Sequence, residues 1–403
     1  MRGSHDAFRF APPLVPESAE LRWLLERAFA AGPMSTRVVD GQQVVDLAAR
    51  LGIAPRIGAR HRAVALATEI GEAPARALTH AAAAVVAQEL RLAAALDELD
   101  EAMASLDLAG VLLKGQALIA GGVSATGSRP AGDIDVLVER DVVEPLQQAL
   151  LARGLVPVGR GYAHQAMPLR HASGGVVEVH RTIPGVRLDP ARPRHSATLA
   201  DVARFGLLAG ATAWSTWRPR SALRLPVRDL LVAHALVHVL AQHAFAPGAY
   251  PGMLLVGDLL DLGVQREDGA GAVAAIAPWI ARAVSFGEAS AACALAAALA
   301  AADPSLWEEP RSPARLLLDH FVAGRTDPRY AESLKTRFLQ RPFSDLPRPL
   351  GRLRAAVDVL VPGDDVRPPG SRAWATIAAF ARRPALLWRR WRSARAADRA
   401  LLR

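Results

Sequence analysis

Two aspartates, Asp133 and Asp135, stand two residues apart where an apolar run begins, followed by Val136, Leu137 and Val138. In a β-strand, side chains at i and i+2 point to one face. The two carboxylates therefore project together, while Ile134 and Val136 turn to the core. Carboxylates this close repel unless a cation stands between them. Oxygen donors of this kind suit Mg²⁺ or Mn²⁺, with Mg–O distances of about 2.1 Å. A second strand pattern at 175–180 alternates so that Glu178 and His180 share one face and Val177 and Val179 the other. With the two strands as neighbours, Glu178 completes a three-carboxylate site. Such a site fits two-ion phosphoryl transfer, with ions about 3.5–4 Å apart clamping the attacking and leaving oxygens. Glu178 is then the base or the ligand on the nucleophile's side.

Lys114-Gly115 follows the apolar run 110–113 and precedes a helical pattern at 116–120. The glycine lets backbone approach a phosphate, and the start of a helix favours negative charge. Lys114 is one of only two lysines, with Lys335, among 48 basic residues. A point charge at that turn is suited to a phosphate. A second glycine pair, Gly121-Gly122, lies nearer Asp133 but follows a helix rather than a strand. Arg129 lies in the loop between, as a nucleotide-orienting group or as one loop arginine among many.

The elements that must carry these residues form a small α/β unit at 108–183: strand 110–113, helix 116–120, a Gly/Ser/Pro-rich loop 121–132, strand 133–138, helix 141–153, strand 155–158 and strand 175–180. Before it, helical patterns cover 17–31, 42–51 and 74–106. In the last, Leu92, Leu96, Leu99, Met103 and Leu106 draw one stripe, and Asp97, Glu98, Asp100 and Glu101 lie off it as a solvated face. After it, helices are expected at 227–243, 257–262, 271–281, 287–302, 310–327 and 330–339, with Pro/Arg-rich breaks near 190–195 and 217–226. The division expected is 1–107 helical, 108–183 the α/β unit, 184–340 helical, and 341–403 a Pro-rich linker with a basic helix.

The 403 residues allow two or three domains or lobes. Hydrophobic residues at 51% and charged residues at 22% describe a globular chain, not a disordered one. The single cysteine, Cys293, excludes an internal disulfide framework and a cysteine-based zinc cluster. No apolar run has the length of a signal peptide or spanning helix, and the alanine-rich stretch 289–302 reads as a packed internal helix. A cytoplasmic location follows as the expectation. Of the net charge of +9, residues 381–403 carry +7 from eight arginines and one aspartate. Charge is thus a property of the tail, where Trp388 and Trp391 sit among the arginines. RNA, anionic lipid or an acidic partner are its candidate ligands, against simple packing on the body.

Leu112–Gly115, Arg129-Pro130, Gly132–Val138 and Val177–His180 together resemble an uncharacterised bacterial nucleotidyltransferase family of the DNA polymerase β-like superfamily. The resemblance covers roughly residues 80–265. His234, His238, His243 and Asp258–Asp261 are similar to that family's helical histidine and aspartate positions. It implies an α+β fold: a minimal nucleotidyltransferase palm, a mixed sheet with flanking helices, embedded in mainly helical N- and C-terminal regions. It also implies transfer of a nucleoside monophosphate from an NTP to a hydroxyl or phosphate, with pyrophosphate released. Some members are similar to proteins encoded beside lasso-peptide maturation genes, so a peptide joins RNA and small molecules among the possible acceptors.

Under this reading Asp133, Asp135 and Glu178 hold two Mg²⁺ or Mn²⁺ ions, and Lys114, Gly115 and Arg129 contact the nucleotide. His164, His180, His234, His238 and Asp258 are acceptor-side candidates. His234 and His238 share a helix face at i, i+4, but lack the intervening glutamate of a zinc-protease helix, so core or substrate-facing imidazoles are expected. His164 and His171 lie in the loop before the Glu178 strand. No nucleophile elbow or dinucleotide fingerprint directs the chain toward hydrolase or dehydrogenase chemistry. Two other classes remain: a nucleotide-binding scaffold that consumes nothing, and an RNA-directed transferase or toxin using the tail.

Overall fold

The structure is a computed structural model. It describes residues 12–32, 38–159, 161–162, 164–192, 195–209, 221–243, 250–264 and 266–334, with backbone only at 266–270. The tail 381–403, Lys335 and the expected linker 341–349 lie outside the described residues.

Among the described residues five helices precede the sheet: α1 (Ala19–Phe29), α2 (Gly41–Leu51), α3 (Ala54–Arg60), α4 (Ala63–Ile70) and α5 (Glu72–Ser105). The caps explain where two of them start. Ser18 accepts from Leu21 N–H, and Asp40 accepts from the N–H groups of Gln42 and Gln43. α5 runs 34 residues and buries Leu92, Leu96, Leu99 and Met103 as one stripe, whereas Leu106 is exposed beyond its end. α3 packs closely on α5 because Gly58 has no side chain; a Cβ there would lie 2.1 Å from the Leu78 carbonyl oxygen. The expected solvated face of α5 is partly engaged. Asp100 accepts from Ser221 Oγ and Ala222 N–H, both at 2.8 Å, and Glu98 pairs with Arg153 at 2.6 Å.

The sheet elements follow: β1 (Gly110–Leu112), α6 (Lys114–Ala120), β2 (Ile134–Leu137), α7 (Val143–Ala152), β3 (Val156–Pro157), β4 (Leu169–Arg170), β5 (Val176–His180), α8 (Leu199–Arg204) and β6 (Leu223–Arg224). Among the described residues the strand order is β3-β4-β5-β2-β1-β6. β2 runs parallel to β5 and antiparallel to β1, and β6 joins β1 in parallel. The fold is α+β with a mixed sheet, as the sequence implies. Two-residue β4 and β6 are absent from the sequence reading. β6 falls in the expected Pro/Arg-rich break, where two residues are too few to draw an alternation.

The remaining helices are α9 (Arg228–Val237), α10 (Met253–Asp261), α11 (Arg266–Ile280), α12 (Phe286–Ala300), α13 (Ser305–Glu308) and α14 (Pro313–Thr326). The helix expected at 227–243 changes character midway: α9 passes into a π turn, His238–Gln242, closed by His243 N–H on the His238 carbonyl at 3.0 Å. α12 is internal, started by a capping box between Ser285 and Glu288, and buries Ala289, Cys293, Leu295 and Leu299. No described helix is long and apolar enough to cross a membrane.

Apolar side chains from Leu21 in α1 to Val322 in α14, including β1, β2 and β5, form one contiguous core among the described residues. Two buried arginines pair with α10, one from α3 and one from the loop ahead of β2. Arg56 of α3 makes paired bonds of 2.7 and 3.1 Å to Asp261 of α10, and Ser124 donates to the same carboxylate at 2.8 Å. Arg129, in the loop ahead of β2, pairs with Asp258 of α10.

Candidate active site

β2 and β5 are hydrogen-bonded neighbours with Asp135 opposite Glu178 and Leu137 opposite His180. The pleat then does what alternation predicts. Ile134, Val136, Val177 and Val179 are buried in the core, and Asp135, Glu178 and His180 come to the other face. One ligand atom from each of these three lies within 4.8 Å of the others, close enough to hold a metal ion. Asp133 sits just ahead of β2, near enough to feel the charges of Asp135, Lys114 and Glu178. Two of the three expected carboxylates, Asp135 and Glu178, thus come together with His180 rather than with Asp133, and the charges of Asp135 and Glu178 act on Asp133.

Asp135 is the hub. Its Oδ1 accepts from Lys114 Nζ at 2.6 Å and lies 2.7 Å from His180 Nε2. It is 1% exposed. Burial alone would raise its pKa, but Lys114 and the His180 hydrogen bond outweigh burial and hold the carboxyl well below the usual range. Asp133 goes the other way. The Asp135 charge first, then burial, push it up to about 7, with Lys114 opposing. Two neighbouring carboxyls are thus driven apart because the site carries more negative charge than Lys114 neutralises. Burial pulls the Lys114 ammonium down, and Asp135, Asp133 and Glu178 more than restore it.

The turn that delivers Lys114 has an unusual backbone. Leu113 N–H bonds the Asp135 carbonyl at 2.9 Å, extending the β1–β2 ladder by one residue, and Lys114 then adopts φ +49°. That left-handed conformation is uncommon for a residue with a side chain. α6 starts at once and spans only seven residues. Gly115 also leaves room for a neighbouring side chain. A Cβ there would lie 1.9 Å from Arg129 Nη1, so the close neighbour of this glycine is a guanidinium.

Arg129 is buried and makes four hydrogen bonds. Nε reaches Asp258 Oδ1 at 2.6 Å and Nη2 reaches Oδ2 at 2.9 Å. Nη2 also donates to the Tyr250 hydroxyl and Nη1 to the Pro130 carbonyl, both at 3.2 Å. Burial lowers its pKa and Asp258 more than offsets that, so the guanidinium stays charged. Arg129 and Asp258, expected to contact nucleotide and acceptor, therefore meet each other.

His180 is buried, but its Nε2 meets a carboxylate rather than the backbone carbonyl that a packed histidine would use. Burial lowers its pKa; hydrogen bonds to Asp135 and Glu178 raise it above the ordinary value. Its Nδ1 is buried without a partner among the described residues. His164 lies beside it, the rings tilted by 31° with centroids 5.8 Å apart, and burial, then His180 and Lys114, lower His164 to about 4. His171 lies farther along the loop and bonds Ser173.

From α9 and the π turn, His234 and His238 approach edge to face at 6.1 Å, and His238, His243 and Tyr250 pack together at 4.4–5.5 Å. His238 Nδ1 lies 3.0 Å from Gln242 Oε1. Burial, then Lys114, push His238 down to about 3, so these rings are neutral. Neither ring nitrogen of His234 has a hydrogen-bond partner among the described residues. The i, i+4 pair gathers no third metal ligand among them either. Tyr250 and the His180–Asp135 bond escaped the sequence reading. His180 itself was among the expected site residues, because it shares the face of Glu178 two residues on. Tyr250 was not, since no local pattern links it to Arg129.

The acidic face thus lies on adjacent strands of a mixed sheet, with the Lys114 turn beside it. The chain belongs to the family described as "Uncharacterised nucleotidyltransferase", whose model matches residues 38–270. The match begins at α2, so the family unit takes in α2 to α5 as well as the sheet. No match was found among curated proteins or solved structures.

Proposed function

We propose that this protein moves a nucleoside monophosphate from an NTP to an acceptor hydroxyl or phosphate, releasing pyrophosphate, with Mg²⁺ or Mn²⁺ held by Asp133, Asp135 and Glu178. The observation that carries the reading is the opposition of Asp135 and Glu178 on paired strands, with Asp133 raised to about 7 by its neighbour's charge. An acidic face short of positive charge, made of oxygen donors, fits a hard divalent cation. When bound, such a cation neutralises charge on the phosphates and acts as a Lewis acid at the reacting centre; two ions are the expected number.

The chain's own groups do the rest. His180 holds Asp135 in one orientation through a 2.7 Å bond. Lys114 lies 2.6 Å from Asp135 and has the length and charge to transfer its ammonium to a phosphate oxygen. Glu178, at 19% side-chain exposure, is more open than Asp135 at 2% and is the group placed to take the acceptor's proton. The acceptor oxygen attacks the α-phosphorus, a new O–P bond forms, the α–β bridging bond breaks, and its electron pair leaves with pyrophosphate.

The test is a pyrophosphate-release and mass-spectrometric screen with each NTP and Mg²⁺ or Mn²⁺, against RNA, ribosomally made peptides, small molecules and cell extract, with Asp135→Asn as control. A nucleotide-sized mass gain with pyrophosphate, absent from the control, supports the proposal. NTP binding without product in any arm would favour a nucleotide-sensing scaffold.

A further inference from the structure

The donors that come closest together on the acidic face are two oxygens and a nitrogen. Asp135, Glu178 and His180 each bring one ligand atom within 4.8 Å of the others, and Asp133 is not in that group. His180 Nε2 lies 2.7 Å from Asp135 Oδ1 and 3.6 Å from Glu178 Oε2. Adjacent donors on an octahedral ion with bonds of about 2.1 Å are about 3 Å apart. The two separations bracket that value. The sheet holds the three groups in this order, with Asp135 opposite Glu178 across the β2–β5 pair and His180 two residues on. His180 is 1% exposed, so its ring has little room to turn away.

We infer, on the nucleotidyltransferase reading, that His180 Nε2 joins Asp135 and Glu178 as a ligand to one of the divalent ions, and that this nitrogen makes the site take a first-row transition-metal dication in preference to Mg²⁺. Mg²⁺ takes oxygen donors, whereas imidazole suits transition metals. Without an ion, the ring holds Asp135 through its 2.7 Å bond. With one, Nε2 must offer its lone pair instead. A ring that carries one proton moves it to Nδ1, and a ring that carries two releases the Nε2 proton to solvent. Nδ1 is buried with no hydrogen-bond partner among the described residues, so no neighbour there fixes the tautomer. Asp133, outside the closest group, is left to the other ion.

The test uses Mn²⁺ as the transition-metal probe and the full chain. Electron spin-echo modulation of the Mn²⁺-loaded protein, with natural and ¹⁵N-labelled histidine, detects an imidazole nitrogen bonded to the ion. Spectra are recorded with and without NTP, because Lys114 holds the same Asp135 oxygen at 2.6 Å. The expected result is a histidine nitrogen coupling that changes with the label and disappears in His180→Gln. Calorimetry should show Mn²⁺ bound more tightly than Mg²⁺. His180→Gln should lose about tenfold in Mn²⁺ affinity, with Mg²⁺ affinity changed by less than about threefold. Glutamine can still donate to Asp135, so a residue that only positioned that carboxylate would show no such split. Absence of the coupling, a coupling retained in His180→Gln, equal affinities for the two ions, or equal losses in the variant would each overturn the inference while leaving the acidic site standing. Binding of neither ion, with or without NTP, would overturn it together with the metal-dependent nucleotidyltransferase reading. Circular dichroism of the variant separates these results from misfolding, and the labelled wild type needs no variant.

Discussion

The guanidinium of Arg129 fills the space that a side chain at Gly115 would need: a Cβ there would lie 1.9 Å from Nη1 and 2.7 Å from Cζ. The arginine has little freedom to give way, because Asp258 holds it at 2.6 and 2.9 Å and Tyr250 adds a further bond. The residue before that glycine carries the site's ammonium, so α10 sets the position of Lys114 through Arg129.

Gly115→Ala should therefore be costly, whereas an ordinary glycine-to-alanine change in a helix stabilises by up to about 1 kcal/mol. Displacing Arg129 disrupts a buried pair, a loss of about 3–5 kcal/mol when one partner is removed outright. Denaturant unfolding should show a loss approaching that range. A change below about 1 kcal/mol would mean that Arg129 moves aside without cost.

Asp258→Asn should weaken NTP binding although Asp258 itself faces Arg129 rather than the acidic face. The neutral amide still accepts a hydrogen bond but no longer balances the guanidinium, so Arg129 loosens and the Lys114 turn with it. Calorimetric titration should give NTP affinity lowered several-fold, with a smaller change for Asp229→Asn, near the start of the neighbouring helix α9. Equal losses in the two variants would contradict the linkage.

Asp133 makes stability depend on pH. Its pKa is about 7 in the folded protein against 3.8 for the free side chain, so folding favours the protonated form. That contribution is complete below about pH 4 and is lost as pH rises through 7. Each pKa unit is worth about 1.4 kcal/mol, so the loss amounts to a few kcal/mol. Asp133→Asn removes the titrating group. The variant should match the wild type near pH 4 and exceed it at pH 8, with Mg²⁺ narrowing the gap. Parallel stability curves for the two proteins would contradict the assignment.

The strand register was legible because period-two alternation fixes faces: Ile134 and Val136 had to be buried, and Asp135 and Glu178 then had to share the opposite side. The long stripe of α5 was equally plain. The partners of Arg129 were not, since Asp258 and Tyr250 lie more than a hundred residues away in sequence and a buried ion pair leaves no local pattern. The Arg129 neighbour of Gly115 was hidden on the same ground: a glycine shows that something comes close, but not what. β6 was missed because only its pairing with β1, not its composition, makes it a strand.

Lys114→Met should separate the lysine's two roles. Without the ammonium 2.6 Å from Asp135, a divalent cation meets no competitor and should bind more tightly on its own. NTP should bind more weakly, by about 10–100-fold, the worth of a charge-assisted bond of about 1.5–3 kcal/mol. Mn²⁺ titration followed by electron paramagnetic resonance measures the first effect and calorimetry the second. Weaker binding of both would make Lys114 a structural residue.

The central claim is that the acidic face transfers the α-phosphoryl group with its nucleoside attached. Incubation with NTP labelled on the α-phosphate or, separately, on the γ-phosphate, with Mg²⁺ and cell extract, tests it most directly. The account predicts α-label joined to an acceptor, γ-label recovered in pyrophosphate, and neither event with Asp135→Asn. γ-Label on the acceptor, or α-label transfer undiminished in Asp135→Asn, would contradict it.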